Sequence, residues 1–271
     1  MERRSFIKTT VVTAAALAAQ GYLPLLAAER RRGKAKKSQA STNTFVEPSA
    51  IEPITGYLPS FSPTGGAAMV EAFKARYSLV TCTGSGAKSR NRVSGTMDVS
   101  LKNASCSTVE TRSGKPRANV VKTSLQLSGE SNTVSKWTLA STVEGRKDLG
   151  FTEAGRWDGK TMTVKAKSWT QERVTTHRLI GRWALLPLLA SGKLKKKPLV
   201  FDMLDDSTLR PNQTLRYEGE TEIPVKGGTA TVDSYVQTGQ GIVPTHYLVD
   251  KQGRVQLITM STVNWALAGR G

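Results

Sequence analysis

In Val93-Ser-Gly-Thr-Met-Asp-Val-Ser-Leu101, apolar side chains stand at 93, 97, 99 and 101, and polar ones at 94, 96, 98 and 100. Successive side chains of an extended strand point to opposite faces, so this spacing turns one face to a core and the other to water. A helix, with its period of 3.6, cannot segregate the same residues. The pattern returns at Val121, Leu125 and Leu127, at Trp137, Leu139 and Val143, and at Met162, Val164 and Ala166. It returns again at Val255, Leu257, Val263 and Trp265. A chain written this way is built from half-buried strands.

The punctuation agrees. Trp157-Asp-Gly-Lys160 contains Asp-Gly, a strong hairpin signal. Lys226-Gly-Gly-Thr229 and Asp250-Lys-Gln-Gly-Arg254 join further apolar runs as hairpins. Tight turns at this spacing predict roughly nine to eleven strands in an antiparallel meander. Two stretches depart from the rhythm. The run from Gly65 to Lys74 reads as a short helix leading into the first strand. Leu179–Ala190 is apolar at consecutive positions and reads as a short helix or buried loop, its regularity limited by Pro187. Gly192-Lys-Leu-Lys-Lys-Lys-Pro198 then returns the chain to solvent. The expected fold is therefore mainly β, a curved antiparallel sheet with a short helical segment on its concave face.

The start of the chain is an address. Arg3, Arg4 and Lys8 precede a weakly apolar run, Val11–Ala19, far shorter than the roughly 20 residues that cross a bilayer. The motif Arg3-Arg4-Ser-Phe6-Ile7-Lys8 resembles a twin-arginine translocation signal, with Glu2 where the pattern usually has Ser or Thr. The resemblance implies a bacterial protein carried in the folded state by the twin-arginine translocase into the periplasm or another extracytoplasmic compartment. Residues 1–28 are assigned to this signal, with removal near Ala28. The block Glu29–Lys37 is too charged to fold, and a Ser/Thr/Pro-rich stretch follows, so residues 29–64 are expected to form a disordered arm. Residues 65–271 form the single β domain.

The net charge is +18, of which residues 1–37 carry +7. A basic exported domain has anionic envelope components as natural partners, whether lipid head groups or acidic wall polymers. Export removes nucleic acid from that set. Lys193, Lys195, Lys196 and Lys197 form the densest basic surface of the domain.

The unit from Leu199 to Trp265, with its closing element Tyr247–Ile258, resembles exported bacterial domains of unknown function. Their architecture is similar to the periplasmic lipoprotein-carrier half-barrel. The resemblance implies a half-barrel whose sheet holds an apolar ligand, and it carries over no functional residue. Trp157, at a hairpin, and Trp183, Leu185, Leu186 and Leu189, in the apolar segment, are the candidates to face such a ligand.

Chemistry is sparse. His177 and His246 are the only histidines, and Asp202, Asp205 and Asp206 are carboxylates that could join them, but no HExxH or CxxC spacing occurs. Ser85 lies in Thr83-Gly-Ser-Gly86, a glycine-flanked turn without the GxSxG pattern. Asp205-Asp206 precedes Ser207 and Pro211 and reads as a polar turn. No phosphate-cradling glycine motif is present, and neither a cofactor nor a metal is expected. Cys82 and Cys106 are candidates for a disulfide in an oxidising compartment, and strand register decides whether they meet. The leading expectation is a non-catalytic module that binds a lipid-like ligand. The alternatives are a structural protein that holds an anionic wall polymer, and a hydrolase using a histidine and a carboxylate.

Overall fold

A computed structural model describes residues 54–83, 90–113, 118–128 and 132–269. The residues read as an export signal, most of the expected arm and Gly84–Gly86 lie outside the described residues. The domain is a β-barrel whose wall is a ring of twelve strands. The curved antiparallel meander read from the sequence is present, and it carries on until the sheet meets itself.

The first five strands are β1 (Phe73–Thr83), β2 (Arg90–Lys102), β3 (Ser105–Arg112), β4 (Asn119–Ser128) and β5 (Thr133–Val143). Each pairs antiparallel with the next. β6 (Arg146–Trp157), β7 (Thr161–Ala166) and β8 (Thr170–Val174) continue from β5 as a three-stranded extension outside the ring. The wall resumes with β9 (Leu179–Gly181), which pairs parallel with β10 (Leu199–Asp205) and touches β5 through Thr133 and Ile180. β11 (Thr208–Val225), β12 (Gly228–Thr238), β13 (Thr245–Val249), β14 (Val255–Met260) and β15 (Val263–Gly269) complete it, and β15 pairs with β1.

The hairpin signals hold. At the β6–β7 turn, Asp158 Oδ1 accepts the amides of Lys160 and Thr161, and Gly159 takes φ 102°. Gly227, at φ 87°, turns β11 into β12. Asp250 accepts the amides of Gln252 and Arg254 between β13 and β14. Asp205-Asp206 does form a polar turn, joining β10 to β11 with Asp206 left-handed at φ 54°.

The interior is filled by the chain itself. A 3-10 turn, Arg182–Leu185, leads into helix α1 (Leu186–Ala190). Trp183 packs against Tyr77 and Trp265 from the opposite wall, with ring centroids 5.7 and 5.6 Å away. Leu185, Leu186 and Leu189 are fully buried in the same cluster as Phe201, Tyr235 and Tyr247. At roughly 25 cal/mol per Å² of apolar area removed from water, this cluster is the main source of stability.

A second, smaller core lies on the outside of the wall. Ile54, Leu58 and Phe61 cover Val80, Cys82, Leu248, Leu257 and Ala266. The arm expected to stay unfolded as far as residue 64 is thus packed from Ile54 onward, because its three large apolar side chains meet an apolar patch. The helix expected over 65–74 is absent. This stretch is irregular, with Met69 buried and its amide bonded to the Gly253 carbonyl, and β1 begins at Phe73.

Candidate functional site

The register of β1 to β7 builds a surface feature that no single strand displays. Lys74, Ser100, Ser107, Ser124, Thr138, Ala154 and Lys165 lie side by side across seven strands. Next to them runs a second row of Arg76, Asp98, Val109, Lys122, Ala140 and Thr152. Every one of these side chains points outward, while their neighbours Ala75, Val99, Thr108, Thr123 and Leu139 point into the core. At about 4.8 Å per strand, the longer row spans about 29 Å.

Because the rows carry mostly Ser, Thr and Ala, the wall is low there and a trough forms. Its main part occupies about 820 Å³ over β3 to β7, and a further 270 Å³ over β1 to β3 adjoins it at Ser107 and Val109. Lys122, Lys165 and Lys167 stand in the main part and Lys74 at the far end. None of these lysines forms an ion pair with a described residue, whereas Arg76 is held by Asp98 at 2.6 Å. No aromatic side chain lines either part. Over these rows the wall is polar outside and apolar inside, the reverse of the lipid-facing surface of a membrane-spanning barrel.

A charged cluster gathers at the β10–β11 turn, part of it open to solvent. Asp205 accepts from Arg182 at 2.8 Å and from Arg210 at 3.5 Å, and Glu110 pairs with Arg112. Loss of hydration, together with the nearby charges of Asp205 and Glu110, pushes the Asp206 carboxyl up to about 6. A void of about 20 Å³, lined by Thr108, Thr123, Asp205 and Asp206, adjoins this cluster. That is room for a water, not for a substrate.

The residues singled out in the sequence fare unevenly. Trp183, Leu185, Leu186 and Leu189 are core, and the void that reaches Trp183 measures about 20 Å³. Consecutive apolar positions mark complete burial, whether the neighbour is a ligand or the protein's own wall, and here it is the wall. Trp157 is half-buried and its indole donates to Thr175 Oγ1 at 2.9 Å. Lys193, Lys195, Lys196 and Lys197 are exposed, but Lys195 is engaged by Asp233 at 2.7 Å and lies over the Tyr217 ring.

The cysteines do not pair. Both are free, because Cys82 points to the outer core and Cys106 to the inner one, with the sheet between them. Burial pushes the Cys106 thiol up to about 12, which keeps it protonated and unreactive. His246 sits in β13 opposite Val236 and Thr259, and the His177 backbone amide donates to Asp202 at 3.0 Å. Asp202 itself is fully buried and accepts the amides of Thr176, His177 and Asn212, a structural assignment for this carboxylate. Among the described residues no three of His, Cys, Asp and Glu gather as a metal site. The trough lysines drew no notice in the sequence because Lys122 and Lys165 are distant along it; only strand register makes them neighbours.

A closed, mainly antiparallel barrel, filled by its own helical segment, is the class that these features define. No protein-family model matches the chain, and no curated protein matches it. Among solved structures it is similar to the crystal structure of a beta-barrel-like protein of domain of unknown function DUF1849 from Brucella abortus. The two share 10% identity over 74% of this chain and 97% of that one, with a TM-score of 0.50. At that identity the likeness is one of fold alone.

Proposed function

We propose that this chain is an exported, non-catalytic envelope protein that holds an extended anionic polysaccharide in the outer trough of β1 to β7. The observation that carries the reading is the pair of rows, one across seven strands and one across six, with Lys74, Lys122, Lys165 and the adjacent Lys167 ion-paired to no described carboxylate. A linear polymer suits a long trough floored by small hydroxyl side chains. The lysines supply charge, and Ser107, Ser124, Thr138 and Thr152 supply hydrogen bonds along the chain. The lack of aromatic side chains disfavours a single-stranded nucleic acid, which is held mainly by stacking. The filled interior counts against a lipid inside the barrel. The twin-arginine motif at Arg3-Arg4 supports delivery to the envelope, and the basic block before the domain adds to its attraction for polyanions.

The test is retention on heparin-agarose, a polyanionic polysaccharide, during a salt gradient. Lys122→Glu/Lys165→Glu/Lys167→Glu is compared with Lys193→Glu/Lys196→Glu/Lys197→Glu, which changes net charge equally. The trough variant is expected to elute at clearly lower salt than the control variant. Equal elution of the two would mean that net charge alone governs retention, and the reading would fail.

A further inference from the structure

The opposite face of the β6–β8 extension carries a second groove, which has Glu153 in common with the trough and otherwise its own lining. Glu153 of β6 and Gln171 and Arg173 of β8 face the β10–β11 hairpin, represented by Ser207, Thr208, Leu209 and Pro211. Trp169, at the β7–β8 turn, completes the lining. The groove encloses about 460 Å³, within the range of about 300–1,000 Å³ usual for small-ligand sites.

Two features set it apart from ordinary surface. Trp169 leaves 43% of its area in solvent, whereas Trp137, Trp183 and Trp265 are buried and Trp157 lies between. Glu153, Gln171 and Arg173 make no side-chain hydrogen bond or ion pair with a described residue, and the Ser207 hydroxyl oxygen is buried without a partner. Convergent polar groups with unspent hydrogen-bonding capacity beside an open indole are what a ligand with one apolar face and many hydroxyls requires. One arginine offset by one glutamate matches a neutral ligand, not the polyanion of the trough.

We infer that this groove binds a neutral pyranose, as part of a short oligosaccharide. Its C–H face stacks on Trp169. Arg173 and Gln171 donate to ring hydroxyl or acetamido oxygens, and Glu153 accepts from a hydroxyl or amide proton. Ser207 and Thr208 close the groove from the hairpin side.

The test is calorimetric titration of the full chain with tri-N-acetylchitotriose, cellotriose and maltotriose. Binding of at least one is expected, with affinity lowered about tenfold or more in Trp169→Ala. An unchanged thermal midpoint would show that this exposed residue was removed without harm to the fold. The trough variant Lys122→Glu/Lys165→Glu/Lys167→Glu should bind the sugar as the wild type does, whether or not the trough holds a polymer. Absence of binding to all three sugars overturns the inference. So does binding that Trp169→Ala leaves unchanged, or that the trough variant abolishes.

Discussion

Gly155 stands opposite Trp137 in the register of β5 and β6, and a Cβ at that position would overlap the indole ring. The glycine is there for space, and its absent side chain lets the tryptophan lie flat against the extension. Gly155→Ala should cost about 1–3 kcal/mol in chemical denaturation, the usual penalty for overpacking. A cost near zero would show that Trp137 rotates away freely. Asp206 poses a different case. Its raised pKa means that the fold favours the neutral carboxyl. That advantage is whole below the unfolded value of about 4 and is lost as pH rises through about 6. Asn is neutral throughout and tolerates the left-handed backbone at 206. Asp206→Asn should therefore melt increasingly above wild type between pH of about 4 and 7; a constant gap would show that Asp206 does not titrate in that window. At this scale the turn residues were legible, since Asp158-Gly159 and Gly227-Gly228 carry their geometry in their chemistry. The fates of Cys82 and Cys106 were not, because the face each takes depends on register.

Elements were legible where one face is wet. β2, β4 and β5 alternate as their sequences say. β8, Thr-Gln-Glu-Arg-Val, is exposed throughout and offers no apolar period, so it is held by pairing with β7 alone. β13 is buried on both faces, its outer one by the segment that starts at Ile54. That segment gave no strand or helix signal, since Ile54, Leu58 and Phe61 act as separate anchors in a short irregular strap. Its contribution can be read by substitution. Leu58→Ala and Phe61→Ala should each cost about 2–5 kcal/mol, as for other large buried side chains. Thermal melts that barely move for both would mean that the outer core is dispensable.

For the molecule as a whole, the sequence pointed to a curved sheet but not to its closure. Closure rests on short contacts: three residue pairs between β9 and β10, and a single pair between β5 and β9. No periodicity encodes a three-residue parallel strand. The same long-range order creates the trough, since seven strands must be in register before Lys74, Lys122 and Lys165 share one surface. It also creates the groove at Trp169, which needs the extension and the β10–β11 hairpin to face each other.

The pairing of β1 with β15 bears on biosynthesis. The earliest strand of the domain finds one of its two neighbours only when the latest strand in chain order has been made. Until then β1 and β14 both present bare edges, which are templates for misassociation. A nascent chain of this kind benefits from chaperones that cover these edges until the last strand is made. A ribosome that stalls before residue 263 would release a ring with a gap, and such a product is a natural target for proteolysis.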